Sequence, residues 1–118
     1  MINFSIFKEL HSMELNNFSS KPTTLSIGQE EAIKELWVSE DGKSRLGVWE
    51  CTEGTFTADR TKMGEYCHII FGTAKIFNDN DGTSQDIGPG DLLILPIGWK
   101  GKWTINSHIR KLYMLDEE

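Results

Sequence analysis

The stretch Gly90-Asp91-Leu92-Leu93-Ile94-Leu95-Pro96-Ile97-Gly98 is the strongest constraint on what this chain can become. Glycine tolerates the positive φ of a tight turn, the apolar run is of strand length, and Pro-x-Gly makes a second bend. The reading is one short buried strand held between two turns. Turn signals recur at close, regular intervals elsewhere, a spacing that suits many short strands better than strands separated by long helices. Glu40-Asp41-Gly42-Lys43-Ser44 separates a strand ending near Val38 from Arg45–Cys51, and Glu53-Gly54 leads from that strand into Thr55–Asp59. Asn78-Asp79-Asn80-Asp81-Gly82-Thr83 is the clearest hairpin signal, joining Glu65–Phe77, itself interrupted at Gly72, to Ser84–Ile87. Leu92–Leu95, Lys102–Ile105 and Ile109–Leu115 follow, for about nine strands in all, enough for a closed barrel or a two-sheet jelly roll. The chain is read as all-β. Its beginning reads differently: Glu30–Leu36 as a short helical turn, and residues 1–30, Met1–Phe18 above all, as an arm or short helix ahead of a barrel spanning 35–115.

Twelve basic and eighteen acidic residues leave a net charge of −6, a sign that repels nucleic-acid phosphates and anionic membrane surfaces. Neither is expected as a partner. Met1 to Leu15 carries Lys8, Glu9 and Glu14 among apolar positions, with no basic segment followed by an apolar run of signal-peptide length. No stretch approaches the roughly twenty apolar residues of a membrane span. The expected location is the cytoplasm. At 118 residues the chain is read as a single domain. Cys51 and Cys67 lie far apart inside strand-like segments, without C-x-x-C spacing, and read as small core residues.

Two glycine-framed segments resemble the two motifs of the cupin superfamily, in order and with a hairpin between them. In the usual first motif a glycine is followed after five residues by His-x-His, then by Glu, then after six by Gly. Here Gly54 is followed by Arg60-Thr61-Lys62, then Glu65, then Gly72. The gap before Glu65 is one residue short, and shifting the frame puts Asp59 and Thr61 at the histidine positions, so neither frame restores a histidine. In the second motif Gly90, Pro96 and Gly98 match, while Gly101 stands where histidine is usual. More closely, Gly47-Val48-Trp49-Glu50-Cys51-Thr52-x-Gly54, Glu65-Tyr66-Cys67-His68-Ile69, Gly88-Pro89-Gly90-Asp91, Pro96-x-Gly98-Trp99-Lys100-Gly101-x-Trp103 and Arg110-Lys111-x-Tyr113 resemble one subgroup. It is the (S)-ureidoglycine aminohydrolase cupin-domain family, which also takes in ethanolamine-utilisation cupins. The resemblance covers residues 35 to 115 and implies a single-domain cupin-type β-barrel, the double-stranded β-helix or jelly roll.

The resemblance also implies that Glu65 faces the barrel interior. Strand alternation then sends Cys67, Ile69 and Phe71 inward with it, and Tyr66, His68 and Ile70 outward. A catalytic cation needs several imidazole or carboxylate ligands converging on one point. The family's manganese site includes a glutamate and histidines, a set this chain does not reproduce at the matching positions. No metal or other cofactor is expected, with a divalent ion at Glu65 the lesser alternative. His11 in the arm, His68, and His108 in an Asn106-Ser107-His108 turn read as surface or second-layer groups.

What replaces the histidines is basic. Arg60 and Lys62 are candidate ligand-binding residues, because Arg offers a planar fork to a carboxylate and Lys a mobile point charge. The competing reading puts them on a solvated loop, or has one of them neutralise buried Glu65. Without such a partner, burial would raise the Glu65 pKa as in a general acid or base, which makes Glu65 the catalytic candidate. Trp49 and Trp103 either wall the site or plug it, Trp103 filling the volume a metal and its waters would take. Lys100, beside Trp99 after the Pro-x-Gly turn, is placed at the rim as a further ligand contact. Asp91 reads as closing its turn, and the facing of Lys111 and Tyr113 stays open.

These residues lead to a cupin that binds a small polar or anionic metabolite, in the metabolism of small nitrogen or carbon compounds. If it turns over a substrate, the resemblance implies amidohydrolase-like or acyl-phosphate chemistry with Glu65 carrying the proton. Two other classes stand beside this one: a metal-dependent enzyme with ligands such as Glu65 and Cys67, and a non-catalytic scaffold whose cavity Trp49 and Trp103 close. The family habit of pairing barrels through edge strands implies a homodimer, with the arm before Pro22 reaching the partner.

Overall fold

A computed structural model describes residues 2–118, so Met1, the first residue of the expected arm, lies outside the described residues. The strands are β1 (Ser19–Ser20), β2 (Glu30–Val38), β3 (Ser44–Cys51), β4 (Gly54–Arg60), β5 (Met63–Asn78), β6 (Ser84–Ile87), β7 (Leu92–Leu95) and β8 (Trp99–Glu117). No helix occurs among the described residues, and none is therefore long and apolar enough to cross a membrane.

The barrel is organised around two long strands. β5 and β8 run antiparallel from Met63 opposite Glu117 to Asn78 opposite Gly101. The far edge of β8 is divided, its first part pairing with β4 and its last part with β3. The far edge of β5 is divided likewise between β7 and β6. β2 and β1 extend the sheet beyond β3. The expected turns are present: Asn78 N donates to Thr83 O at 2.8 Å across the hairpin, and Asp91 Oδ2 accepts from Gly88 N at 2.8 Å to close the turn before β7. Gly90 and Gly98 both take positive φ, as their bends require.

Several expectations are corrected by long-range pairing. Glu30–Leu36 is strand, because its backbone hydrogen-bonds to β3 from Glu31 opposite Cys51 onward, and that pairing overrides a helix-compatible composition. The described residues of the amino-terminal arm carry no helix. Lys102–Ile105 and Ile109–Leu115 are one continuous strand, so His108 lies in β8 rather than in a turn. β7 is an edge strand rather than a buried one: Leu95 is buried, while Leu92 and Ile94 are 67% and 54% exposed. Phe71 faces outward, because the register slips between Ile69 and Phe71 and inverts the alternation counted from Glu65. Gly72, at φ 85, follows that bulge and lets β5 press onto β8, where any Cβ would meet the His108 carbonyl.

Arg110 and Lys111, consecutive on β8, face opposite ways, and each meets a carboxylate. Arg110, 6% exposed, turns to the outer face, where its Nε donates to Glu50 Oε2 at 2.8 Å. Its Nη1 and Nη2 donate to the carbonyls of Leu10 and Met13 at 2.6 and 2.8 Å, clipping the arm across the sheet. His108 Nε2 bonds the other Glu50 oxygen at 2.6 Å. Arg110→Met is expected to cost about 2 kcal/mol and to speed amide exchange across residues 10–18. Urea denaturation and hydrogen exchange measure the two, and unchanged exchange would mean that the arm is held by other contacts.

Candidate functional site

The inner face of the barrel collects its residues by alternation along three neighbouring strands. Trp49 on β3 lies opposite Lys111 on β8, which lies opposite Ile69 on β5. Two residues along, Tyr113 stands between Gly47 and Cys67. β4 adds Phe56, directly opposite Trp103. Phe56 and Trp103 stack with ring centroids 5.9 Å apart, and Trp49 meets both edge-on. Beside this aromatic cluster is a cavity of about 150 Å³, lined by Lys21, Ile33, Trp49, Phe56, Arg60, Glu65, Trp103, Lys111, Tyr113 and Leu115.

Glu65 is the hub of its charges. The side chain is buried, 1% exposed, and both oxygens are committed. Oε1 accepts from Arg60 Nε at 3.0 Å and Nη2 at 2.8 Å, and Oε2 lies 2.6 Å from Lys111 Nζ. The Lys111 ammonium also stands 4.3 Å from the ring centroids of Trp49 and Trp103, held between two cation–π faces. Burial alone would raise the Glu65 carboxyl, but the Lys111 ammonium and then the Arg60 guanidinium outweigh it and hold the pKa at about 2. Glu65 is therefore a fixed anion at neutral pH, and the proton-carrying role expected of it does not fit this geometry. Burial pushes the Cys51 and Cys67 thiols up to about 12, so both keep their protons.

Of the other sequence candidates, Arg60, Trp49 and Trp103 line the cavity with Glu65. Lys62 does not: it is exposed in the bend after β4, where Asp59 Oδ1 accepts from Thr61 N at 2.8 Å and the chain reverses. Lys100 does not either, because it lies on β8 itself, where alternation turns it to the exposed outer side while Gly101 and Trp103 point in. His68 is exposed on the outer face. Lys111 and Tyr113, whose facing the sequence leaves open, point inward. Lys21 and Phe56 have no signal in the sequence. Lys21 reaches the cavity from the loop between β1 and β2, its Nζ 4.6 Å from the Phe56 centroid.

The metal centre implied by the cupin resemblance does not fit these residues. Among the described residues no three His, Cys, Asp or Glu side chains converge. The one interior carboxylate spends both oxygens on cationic side chains, and Lys111 holds the place beside it that a metal ion would need. At Gly101, where the second motif would carry its histidine, a Cβ would run into the Phe77 carbonyl and the Trp99 ring. That ring is pinned there by a bond of 2.7 Å from its Nε1 to Asn78 Oδ1.

The family model for the EutQ-like cupin domain matches residues 38–113. The chain belongs to the EutQ-like cupins. Among solved structures it resembles the EutQ protein of Clostridium difficile, with a TM-score of 0.71 at 22% identity over 92% of this chain and 77% of that one. A protein of unknown function from Pseudomonas syringae pv. tomato gives a TM-score of 0.75 at 21% identity over 91% of this chain, which spans 46% of that protein's length. A putative ethanolamine utilization protein from Salmonella typhimurium gives 0.65 at 17% identity over 75% of this chain and 70% of that one. At these identities the structures show the shared cupin fold. No curated protein matches the sequence.

Proposed function

We propose that this EutQ-like cupin binds a small anionic metabolite, with side-chain cations in the role that a metal ion plays in other cupins. The observation that carries the reading is a charge surplus: Lys21, Arg60 and Lys111 line the cavity with Glu65, and Glu31 meets Lys21 at its edge, leaving three cations against two carboxylates in a chain whose net charge is −6. Positive charge focused in a low-dielectric, aromatic-walled space attracts a counter-ion that the rest of the surface repels. The volume, about 150 Å³, is of the size that accepts a benzene-like group. In this reading Glu65 is the counter-ion that orients Arg60 and Lys111, and the site binds without a proton carrier of its own. The ethanolamine-utilisation name of the Salmonella neighbour supports a place in the metabolism of small nitrogen or carbon compounds, with the cytoplasm as the proposed location. The exposed cross-strand row of Ile94, Tyr66 and Met114 supports a homodimer.

Arg60→Ala is expected to weaken binding of small carboxylates or ureido acids at least about tenfold, with Arg60→Lys intermediate. Calorimetric titration measures it. Equal affinity in the wild type and Arg60→Ala would count against the site.

A further inference from the structure

The mouth of the cavity holds a second carboxylate that the anion reading leaves without a role. Glu31, on β2, is not part of the cavity wall, yet its Oε1 meets two groups that are. It lies 3.1 Å from Lys21 Nζ and accepts the Trp49 indole N–H at 2.8 Å. The Lys21 and Glu31 side chains are 14% and 23% exposed, so the pair sits where the cavity meets water. An ammonium and an indole N–H thus converge on one carboxylate oxygen at the point of entry. A second donor in the same wall is idle: Trp103 Nε1 is, among the described residues, the buried side-chain polar atom with no hydrogen-bond partner. A buried donor without an acceptor calls for a ligand or water to complete it.

The two donors and the wall beside them decide the class of ligand. Lys21 Nζ and the Trp49 indole N–H already hold one carboxylate oxygen. The adjoining wall is aromatic, Trp49 and Phe56, which fits a carboxylate with an apolar body and gives a phosphate nothing to pack against. We infer that Lys21 Nζ and the Trp49 indole N–H form the carboxylate-receiving end of the cavity, and that Glu31 is an internal competitor which an incoming small monocarboxylate displaces. The inference rests on the anion-binding reading above and adds its ligand class and a specificity-setting residue. The apolar part of the ligand lies against Trp49 and Phe56, and the carboxylate takes the place of Glu31 on the two donors.

The test is a titration of ¹⁵N-labelled protein with benzoate, and separately with inorganic phosphate, following the indole N–H resonances. Glu31→Gln keeps an oxygen for the Trp49 indole but gives up the charge. It is expected to bind benzoate about tenfold more tightly than the wild type, with the Trp49 indole resonance moving as the site fills. Lys21→Gln is expected to bind it at least tenfold more weakly, and phosphate to bind more weakly than benzoate throughout. Unchanged or lower benzoate affinity in Glu31→Gln, while Arg60→Ala still weakens binding, overturns the competitor role and leaves the anion site standing. Phosphate binding more tightly than benzoate overturns the carboxylate assignment. No binding of benzoate or of phosphate, in the wild type or in Glu31→Gln, overturns the anion reading itself.

Discussion

Replacing Lys111 with methionine is expected to remove about 3–5 kcal/mol of folding stability, read from chemical denaturation. Methionine has the length to fill the slot between Trp49 and Trp103, so the loss is electrostatic rather than a cavity. Glu65 is 1% exposed and would keep Arg60 while losing the ammonium on Oε2. A buried carboxylate short of a partner is costly, because burial opposes its charge and one of the two cations offsetting that penalty is gone. Adding Glu65→Gln to the Lys111→Met protein should restore much of the loss, since Arg60, at 24% side-chain exposure, can turn to water. The pair also fixes a pH signature. The folded pKa of Glu65, about 2, lies below its ordinary 4.5, so the stabilisation is complete above 4.5 and is lost as pH falls toward 2. It amounts to about 3 kcal/mol. In Lys111→Met the folded pKa rises and acid unfolding should begin at higher pH. A loss under about 1 kcal/mol, with an unchanged acid midpoint, would show that Lys111 and Glu65 are not coupled.

Restoring the missing histidine should fail. Gly101→His is expected to cost at least about 4 kcal/mol or to prevent folding. The obstacle at Gly101 is backbone: the Phe77 carbonyl on the paired strand, with the Trp99 ring behind it. A flexible side chain gives way, but here two strands would have to part, along a pairing that places Asn78 opposite Gly101. Soluble yield and thermal unfolding measure the effect. A stable Gly101→His protein that takes up a divalent ion would reverse the finding that the residues at this position do not fit the implied metal centre.

Glu65, Arg60, Trp49 and Trp103 can be placed from the sequence because each lies within a few residues of a framing glycine or turn, so alternation counted over that short distance carries to its neighbours. Phe71 is lost by the same counting, since a single bulge inverts it and nothing in Ile69-Ile70-Phe71 marks the slip. Arg110 and Lys111 show a deeper difficulty. Both are cations, both are buried, and alternation says only that they face opposite ways. Which one is inside depends on Glu50 and Glu65, which arrive from other strands. Lys21 and Glu31 come together only when β1 pairs with β2 and sets Ser19 opposite Glu31, a two-residue pairing that no local pattern marks. Glu30–Leu36 misleads for a related reason: Glu, Ala, Lys and Leu suit a helix locally, and only the hydrogen bonds offered by β3 decide for a strand.

The long strand β8 supplies the hydrogen-bonding partners of β3, β4 and much of β5, and it is made after all of them. Until it leaves the ribosome, those earlier strands have unpaired edges and no closed interior. Assembly must therefore wait for the end of translation of this segment, and the nascent chain is at its most vulnerable to chaperone capture or aggregation just before residue 99 emerges.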